Sequence, residues 1–549
     1  PVHNLQFTFR WDKPLAQYCS ACDKEWIGNN RYDWAWIYEV HMLNRDYMYQ
    51  CMYLYLATGK QQYADYIRTM LLDYAGKYAG WFEHNSGRKA TDQHSGKAFA
   101  QSLDEANWAT KVAMAYMAVK PVLSNEEVKA IEEGYLQPAA TLLLHRPAGA
   151  NWQMWHNSGL AALGIALEND SIVNVAINKD KYGYHYLIEK HKNNDGWINE
   201  GSPHYHYYPL EALLFTANAV KCRGIKLFDK DLHDMFVEPV KGTYPDLSFP
   251  AHSDGWYGAN LLSQSALYEV ANARYNDPFL KRVLELTYAQ KKRLDSEALL
   301  SNQLIKASGE SLLQQSYSFD TSGFCLLRSD ARTVVLKFGG EGIGHGHPDK
   351  LSITIHDGKN ELVSDFGTSG YGVPDYLKWY KRTLSHNTVT VDAKDQKRSV
   401  GKLLKFNPRS DGGYAEAETT TAYPGVRMKR SLDLKGTHLQ DVYTCTSDSS
   451  HLYEYVILFN EKPIMDGQPT ATTLTGSEVH ERIHNTFSYP HKSGFTCRTS
   501  SASVQFGIPE GEVVEVVLGE ASGIPANPTV KDGPGAGDVA VKPCYPLII

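Results

Sequence analysis

The hydrophobic pattern of this 549-residue chain changes once, at residues 305–315, and no other feature constrains the fold as strongly. Before this point, apolar and aromatic residues recur every three or four positions, as in residues 34–56, which predicts amphipathic helices. After it, β-branched and aromatic residues alternate with polar ones in short runs such as 333–338, which predicts antiparallel strands. We therefore predict an α+β multidomain chain, with a helical domain over residues 1–310 and a β-sheet domain over residues 311–549.

Short breaks separate the predicted helices of the first domain. Residues 57–60 form one such break, between the segment 34–56 and a second amphipathic segment over residues 61–78. Helices joined by short loops pack as antiparallel hairpins. Tandem hairpins bury their apolar faces against their neighbours, so we expect them to form an arc or a toroid. The predicted strands of the second domain suffice for one large sandwich or for two stacked sheets.

The composition excludes several classes of protein. A hydrophobic fraction of 42% and a charged fraction of 21% are typical of a folded globular chain rather than a disordered one. No run of the sequence approaches the roughly 18–20 apolar residues that span a bilayer, so we predict no membrane span. The net charge of −7 argues against a nucleic-acid partner. The 35 tyrosines and 11 tryptophans suit sugar binding, although aromatic rings also fill helical cores.

The eight cysteines and the start of the chain are less informative. The cysteines are too dispersed for a disulfide scaffold, and Cys19-x-x-Cys22 lacks the second pair that a zinc ribbon needs. The sequence begins at Pro1, and no charged-then-apolar leader is visible. We interpret it as a mature or trimmed form whose secretion signal has been removed, and we expect a periplasmic or secreted location.

The first candidate motif spans residues 149–159, where one predicted helix ends and another begins at Trp155. Four polar residues, Asn151, Gln153, His156 and Asn157, then lie at a helix N-terminus, where exposed N–H groups and the helix dipole favour an anionic group. The alternative is that Asn151 or Asn157 is an N-cap and His156 a hydrogen-bonded core residue.

The second candidate motif spans residues 195–208, a predicted loop that enters a helix at Leu210. Its titratable side chains are Glu200, His204, Tyr205, His206, Tyr207 and Tyr208. Histidine transfers protons near neutral pH, and tyrosine does so when neighbouring cations lower its pKa. Aromatic packing at the start of a helix is the alternative, and it explains only one or two of these residues.

The third candidate motif is the glycine-rich run over residues 339–350, which follows a predicted strand. His345 and His347 are two positions apart, so in an extended segment they point the same way. Asp365 ends a later strand and His386 opens another. Histidines and a carboxylate from adjacent strands suit zinc. The alternative is a network of hydrogen-bonded His and Asp side chains that shapes the loop.

A basic run over residues 378–405 reverses the sign of the net charge locally. It contains eight basic residues and two acidic ones, Asp392 and Asp395. The basic residues are Lys378, Lys381, Arg382, Lys394, Lys397, Arg398, Lys402 and Lys405. Such a run predicts either a solvated face or a surface that binds a polyanion.

The motifs resemble, in their order along the chain, those of the heparinase II/III-like polysaccharide lyases. They are Asn-Trp before a helix (151–152), Asp-Gly…Glu-x-Ser-Pro-x-Tyr-His (195–206), Gly-His-x-His-Pro-Asp (344–349) and Ser-His-Asn-Thr-Val (385–389). The resemblance implies an N-terminal incomplete (α/α) toroid followed by a C-terminal antiparallel β-sandwich. It also implies β-elimination at a 4-linked uronic acid of an acidic polysaccharide, which leaves a 4,5-unsaturated uronate.

The resemblance further implies roles for individual residues. Asn151 neutralises the substrate carboxylate, with His156 or Gln153 assisting, while Tyr205 acts as base and acid. His345 is the second proton-transfer group. The implied zinc ligands are His347, Asp365 and His386, and this zinc would be structural, holding the loop that presents His345. We expect other side chains near these motifs to bind substrate: Trp152, Gln153, Glu200, His204, His206, Tyr208 and Arg382.

Several alternatives stay open. The basic run favours a glycosaminoglycan (heparan or heparin, hyaluronan or chondroitin) as substrate, and alginate or another uronan is the alternative. A glycoside hydrolase on the same toroid would need paired carboxylates, for which Asp195, Glu200 and Asp254 are candidates. A non-catalytic glycan-binding protein is the third interpretation. We expect a monomer or a homodimer, with an acidic polysaccharide as the binding partner.

Overall fold

The computed structural model describes residues 10, 12–19, 23–28, 30–85, 94–301, 303–309, 312, 315–340, 344–371, 374–491, 494–508, 514–525 and 540–549. The chain forms two compact units that interleave along the sequence. The helical unit comprises residues 1–192, 207–237 and 264–309, and the sheet unit comprises residues 193–206, 238–263 and 310–549. The single boundary expected after residue 310 stays a prediction.

The helical unit contains the amphipathic helices that the periodicity predicts. In chain order they are α1 (Asn30–Thr58), α2 (Gln61–Tyr78), α3 (Ser102–Val119), α4 (Asn125–Ile131), α5 (Gln137–Leu144), α6 (Ala150–Ala166), α7 (Asp170–Asn178), α8 (Tyr184–His191), α9 (His204–Val220), α10 (Lys230–Val237), α11 (Ser265–Tyr275) and α12 (Pro278–Gln290). A two-stranded hairpin, β1 (Ala16–Cys19) with β2 (Lys24–Ile27), precedes α1. None of the helices within the described ranges is long and apolar enough to cross a membrane.

Local sequence explains where these helices begin and how closely they pack. Ser124 accepts a hydrogen bond from the backbone N–H of Glu127, whose carboxylate accepts one from the Ser124 N–H, and this capping box begins α4. Gly159 lets α6 approach α3, because a Cβ at that position would lie 3.2 Å from the carbonyl oxygen of Ala106. The helices therefore pack as the hairpins that their short connections predicted.

Two predicted helix starts were wrong. The helix expected from Trp155 begins at Ala150, and the one expected from Leu210 begins at His204. Asn151 therefore lies in the first turn of α6 rather than before it, and Tyr205 lies in the first turn of α9 rather than in a loop. Both helix starts are polar or aromatic and lack the apolar period, so only packing reveals that they are helical.

Within the described residues, the strands of the sheet unit form three antiparallel sheets. Its strands are β3 (Tyr317–Phe319), β4 (Phe324–Arg328), β5 (Thr333–Lys337), β6 (Ile353–His356), β7 (Glu361–Val363), β8 (Val389–Val391), β9 (Lys402–Arg409), β10 (Gly412–Tyr423), β11 (Val426–Lys435), β12 (His438–Ser447), β13 (Tyr453–Phe459), β14 (Ile464–Met465), β15 (Thr470–Ala471), β16 (His484–His491), β17 (Phe495–Arg498), β18 (Ser503–Phe506), β19 (Val514–Pro525) and β20 (Ala540–Ile548). The large sheet has the order β15-β16-β19-β20-β13-β7-β6-β5-β4-β3, with β8 paired to β13, while β12-β11-β10-β9 and β14-β17-β18 form the smaller sheets.

One buried apolar cluster joins the large sheet to the four-stranded sheet. Leu327 and Leu336 of the large sheet share this core with Met428 and Leu432 of the smaller one. Two antiparallel sheets that enclose a common core form a sandwich, as the alternating pattern predicted. Phe366, Trp379 and Leu384 belong to a second apolar cluster on the large sheet. The indole N–H of Trp379 donates a hydrogen bond of 2.7 Å to the carbonyl of Ser522.

Two segments that precede the strands in sequence fold with them. The backbone N–H of Asp254 donates to the carbonyl of His345 at 2.9 Å, and Asp195 accepts a bond of 2.7 Å from the backbone N–H of Ser322. Such contacts hold the segments 193–206 and 238–263 within the sheet unit.

Candidate active site

The sheet unit brings together side chains from three separate stretches of the sequence. The ring of Tyr205 stacks on the imidazole of His345, with 3.5 Å between ring centroids and 11° between ring planes. The phenol oxygen of Tyr205 lies 2.5 Å from that of Tyr371, which also lies 2.9 Å from Nδ1 of His345. Tyr371 is 43% exposed and the side chain of His345 is 22% exposed, so the cluster is accessible from solvent.

Asp254 anchors this cluster from below the surface, since the residue is only 1% exposed. Its Oδ2 atom lies 2.9 Å from Nδ1 of His345 and accepts hydrogen bonds from the phenols of Tyr376 (3.0 Å) and Tyr371 (3.1 Å). Its Oδ1 atom lies 2.9 Å from Nε2 of His347. Asp254 therefore connects His345, the predicted proton-transfer group, to His347, a predicted metal ligand.

The electrostatics keep Asp254 ionised. Burial alone would raise the pKa of this carboxyl, but the hydrogen bonds from His345 and His347 and the positive charge of Lys381 hold the pKa well below its usual range. An ionised carboxylate only accepts hydrogen bonds, so each imidazole nitrogen that faces it carries the proton. Nε2 of His345 is then left with its lone pair when the ring is neutral.

Tyr205 has acidic rather than cationic neighbours. Burial raises the pKa of this phenol above its usual range, and the charges of Asp254 and Glu200 add to the effect, while the hydrogen bond from Tyr371 opposes it. The phenol is therefore protonated at neutral pH, which suits a proton donor. We had expected neighbouring cations to lower the pKa of a catalytic tyrosine, and the environment of Tyr205 differs from that expectation.

The other predicted residues of the sheet unit differ in how accessible they are. Glu200 is 2% exposed, and its Oε2 atom lies 3.8 Å from Nε2 of His345. Burial lowers the pKa of His204 to about 4, and its ring packs edge-on against Tyr205. His206 is fully buried and accepts a bond of 3.2 Å from the backbone N–H of Ile198, so it has no surface for a substrate contact, contrary to expectation.

Arg382, expected to bind substrate, is engaged by acidic side chains on both sides. Its guanidinium donates to Asp395 at 2.6 Å and to Glu478 at 2.8 Å. Within the same basic run, Lys402 pairs with Glu418 at 3.1 Å. Carboxylates of the protein itself therefore neutralise part of the positive charge of residues 378–405, the basic run from which we predicted a polyanion-binding surface.

The predicted metal ligands lie close together, and the structure adds one acid that we did not predict. Asp349, Asp365 and His386 are buried and offer ligand atoms within 4.8 Å of one another. His347 lies beside them, with 5.3 Å between its ring centroid and that of His386. Both oxygens of Asp349 are already bound by buried ammonium groups, those of Lys337 and Lys350.

Two imidazole nitrogens in this group fit a metal. Nδ1 of His347 and Nε2 of His386 are buried, and neither has a hydrogen-bond partner among the residues that the structure describes. Buried polar atoms are almost always paired, so two unpaired nitrogens beside a carboxylate are a donor set that suits zinc. Of the three predicted ligands, Asp365 and His386 belong to this close group, while His347 lies beside it and Asp349 is shared with the two lysines.

The remaining predicted residues lie in the helical unit, where α6 carries most of them. Asn151 is 7% exposed and follows Ala150, whose φ of 46° is in the left-handed region that non-glycine residues rarely adopt. Gln153 accepts a bond of 2.8 Å from the backbone N–H of Ala148 and donates one of 2.9 Å to Asn157. Its amide therefore stabilises the start of the helix.

His156 is a core residue, whereas Trp152 and Tyr208 are half-buried and pack against other aromatic rings. Burial lowers the pKa of His156 to about 4, so this fully buried ring is neutral near neutral pH. Trp152 packs against His94 with 4.9 Å between ring centroids, and Tyr208 packs against Trp155 at 5.3 Å. Burial also raises the pKa of the Tyr208 phenol well above its usual range.

Comparisons with known sequences agree with the motifs. Residues 40–237 match the family model described as Alginate lyase, and residues 312–499 match the one described as Heparinase II/III-like, C-terminal. The chain is 28% identical over 483 residues to an alginate lyase of Stenotrophomonas maltophilia and 26% identical over 485 residues to an exo-oligoalginate lyase of Saccharophagus degradans. Each alignment covers 78% of this chain and 64% of the relative, so the chain spans less than two thirds of their length.

Solved structures extend the likeness to the fold. A heparan sulfate lyase, HepC, of Pedobacter heparinus superposes with a TM-score of 0.59 at 16% identity, over 95% of this chain and 75% of that one. A heparinase III superposes with a TM-score of 0.58 at 14% identity, over 92% of this chain and 76% of that one. The predicted fold class, a toroid of helical hairpins followed by an antiparallel β-sandwich, is confirmed.

The two matched regions and the shared fold make the chain similar, in both its helical and its sheet parts, to toroid-plus-sandwich proteins that are named polysaccharide lyases. The resemblance to the heparinase II/III-like polysaccharide lyases that the motifs predicted is confirmed by these matches.

Proposed function

We propose that this protein is a polysaccharide lyase that cleaves a polymer of 4-linked uronic acid by β-elimination. The observation that carries the proposal is the stack of Tyr205 on His345, with Tyr371 at hydrogen-bond distance from both. Two phenols and an imidazole in contact can donate and accept protons on one sugar. The names of the relatives, alginate lyase and exo-oligoalginate lyase, support the same reaction class.

Elimination requires three groups. The hydrogen on C5 is alpha to a carboxylate and becomes acidic only when that carboxylate is neutralised or hydrogen-bonded, so that the carbanion resembles an enolate. A base must remove this hydrogen, and an acid must protonate the leaving O4. For the first task we propose the side-chain amide of Asn151, the role that the family resemblance implies.

Tyr205 is the proposed acid. A phenol with a raised pKa is protonated at neutral pH and therefore has a proton to give to O4. The hydroxyl of Tyr371, whose oxygen lies 2.5 Å from that of Tyr205, can turn from Asp254 and donate its one hydrogen bond to the phenolate that forms. This assignment selects the acid function from the two, base and acid, that the resemblance implies for Tyr205.

His345 is the proposed base. Its Nδ1–H is donated to Asp254, so the lone pair of Nε2 is available for the C5 hydrogen. The carboxylate of Asp254 then stabilises the imidazolium that forms, since the two groups are 2.9 Å apart. His345, for which the resemblance implied only proton transfer, is thus assigned the role of the base.

Alginate is the first substrate that we propose, and glycosaminoglycans are the second. The two relatives aligned over 78% of this chain are named alginate lyases, whereas a heparin-sulfate lyase of Bacteroides stercoris aligns over 44% of it. The ion pairs of Arg382 and Lys402 also weaken the argument from positive charge for a sulfated polymer.

We also propose a structural zinc held by His347, Asp365 and His386, which would fix the loop that presents His345. A bound zinc supplies a positive charge that orders its ligands, and no step of the elimination needs it. We propose a periplasmic or secreted location together with this function.

The test is a panel of purified polymers, comprising alginate, heparan sulfate, hyaluronan and chondroitin, with ultraviolet absorbance as the readout. We expect the absorbance to rise on at least one polyuronate, because elimination creates a 4,5 double bond and hydrolysis does not. New reducing ends without absorbance would instead identify a glycoside hydrolase. Folded protein that produces neither signal on any polyuronate contradicts the proposal.

A further inference from the structure

We infer that Asp254 is a positioning residue that orients two histidines at once, His345 of the proton-transfer cluster and His347 of the proposed zinc site. The expected effect on turnover rests on the proposed function, whereas the orientation of the two rings does not depend on it. The geometry carries it, because the two carboxylate oxygens are divided between the two rings. Oδ2 lies 2.9 Å from Nδ1 of His345, and Oδ1 lies 2.9 Å from Nε2 of His347.

The two rings meet the carboxylate through different nitrogens, and this difference decides what each ring does. His345 presents Nδ1–H to Asp254, so its lone pair is on Nε2. His347 presents Nε2–H, so its lone pair is on Nδ1, the buried nitrogen for which the described residues provide no hydrogen-bond partner. One carboxylate therefore selects opposite tautomers on rings that are two positions apart.

The position of Asp254 is fixed by its own neighbours. Its backbone N–H donates to the carbonyl of His345 at 2.9 Å, which ties the carboxylate to the loop whose ring it orients. The preceding residue, Ser253, has a φ of 60°, and its hydroxyl accepts a bond of 2.6 Å from the ammonium of Lys337. The phenol of Tyr376 adds a bond of 3.0 Å to Oδ2. Because these bonds fix the carboxylate of Asp254, the carboxylate determines how the two imidazole rings are oriented.

Two measurable consequences follow from this arrangement. At His347, a carboxylate behind a metal-ligating imidazole fixes its orientation and raises its basicity, and loss of such a partner typically weakens metal binding about 10- to 100-fold. At His345, loss of the carboxylate frees the ring to adopt the wrong tautomer, which lowers turnover without removing any contact to substrate.

The decisive variant is Asp254→Asn, which keeps the shape of the side chain but offers one acceptor and one donor group. It can satisfy only one of the two rings. We expect kcat to fall about 10²- to 10⁴-fold with KM within about threefold. We also expect the zinc dissociation constant, measured by chelator competition, to rise about 10- to 100-fold.

The matched control is Glu454→Gln, which removes another carboxylate–histidine pair of the sheet unit. Glu454 is 9% exposed and lies 2.8 Å from Nε2 of the buried His480. This variant should lose stability while it keeps both kcat and zinc affinity. If Asp254→Asn behaves like the control, with stability alone affected, the inference is overturned.

A measurement on the unaltered protein protects the test against a variant that does not fold. Nitrogen NMR of histidine-labelled protein, with signals assigned by difference from His345→Gln and His347→Gln, reports the tautomer of each ring. We expect the Nδ1–H form for His345 and the Nε2–H form for His347. The same tautomer on both rings contradicts the inference. Failure of the lyase assay alone would contradict the proposed function and leave these structural results intact.

Discussion

Tyr205 retains its proton because burial and the nearby charges of Asp254 and Glu200 raise the pKa of its phenol. The neighbouring tyrosines of the same helix differ. Tyr207 is 4% exposed and its hydroxyl lies 3.0 Å from that of Tyr268, within the helical core. Two positions along α9 therefore distinguish Tyr205, whose phenol lies in the candidate site, from Tyr207, whose phenol lies in the core. Both residues belong to the same aromatic motif.

Tyr205→Phe should lower kcat about 10²- to 10⁴-fold while KM changes little, because the variant removes only the proton donated to O4. The measurement is the initial rate of ultraviolet absorbance on the polymer that the wild-type protein cleaves. Tyr207→Phe is the matched control and should retain wild-type kcat. Equal losses in both variants would contradict the assignment.

At the scale of secondary-structure elements, the first turn of α3 contains a carboxyl that is fully buried. Glu105 accepts hydrogen bonds from the Tyr78 phenol (2.6 Å) and from the backbone N–H groups of Lys97 and Phe99 (3.0 and 3.1 Å), and it thereby fastens the loop that precedes the helix. Burial raises the pKa of Glu105 to about 7, although these hydrogen bonds oppose the shift. The folded state therefore binds one more proton than the unfolded state between about pH 4.5 and 7.

This proton linkage predicts a pH dependence. Because the folded pKa of Glu105 is above the unfolded value, its contribution to stability is fully present below about pH 4.5 and is lost as the pH rises to about 7, by about 3 kcal/mol in all. Glu105→Gln lacks this dependence. The difference in unfolding free energy between the wild type and the variant should change in that direction from pH 5 to pH 7.5. An identical difference at both pH values would contradict the prediction.

Strand β11 carries a buried arginine, Arg430, that is hydrogen-bonded to the backbone near the proposed metal site. Arg430 is fully buried and donates to the carbonyls of Leu351 (2.7 Å) and Asn387 (2.6 Å) while it pairs with Asp441. Asn387 directly follows the proposed zinc ligand His386. The four-stranded sheet thereby holds the backbone next to the proposed metal site.

Arg430→Leu should destabilise the sheet unit by about 3–5 kcal/mol, because it removes the buried guanidinium that pairs with the half-buried Asp441 and that donates to two backbone carbonyls. Urea unfolding of the full chain measures this change. The control is Arg427→Leu on the same strand, whose side chain is 57% exposed and pairs with Glu418, so its effect should be below about 1 kcal/mol. A comparable loss in the control would show that strand β11, rather than the buried network, is responsible.

At the scale of the whole molecule, the proposed zinc should contribute to stability because its ligands come from separate segments of the sheet unit. We expect about one zinc per chain by elemental analysis, and a lower thermal unfolding midpoint after chelation that recovers when zinc is returned. His386→Ala should reproduce the lower midpoint in the presence of zinc. A midpoint that chelation leaves unchanged would contradict the structural role.

The fold of this protein was largely predictable because its signals are local. The segments predicted as helices at 34–56 and 61–78 are α1 and α2, and the change in pattern near residue 310 separates α1–α12 from β3–β20, although the hairpin of β1 and β2 precedes α1. The errors were also local in origin. The start of α9, from His204, has no apolar period to mark it, and only packing such as the burial of His206 makes it helical.

The candidate site was predictable only in part. Tyr205 and His345 belong to recognisable motifs, and the structure brings them together. Asp254 and Tyr371 carry no motif around them, and we did not predict their place in this cluster. Asp254 and His345 are 91 residues apart in the sequence, so no local pattern around either residue predicts their contact.

The sequence by itself determined which elements form and which side chains capable of proton transfer and metal binding lie in the chain, because periodicity and residue chemistry are properties of short segments. Tertiary structure alone decided how those side chains are protonated and oriented. The stack of Tyr205 on His345 and the shared carboxylate of Asp254 depend on distances of a few ångströms between distant segments. Burial and neighbouring charge act over such distances, and they set the pKa values and tautomers on which the proposed chemistry depends.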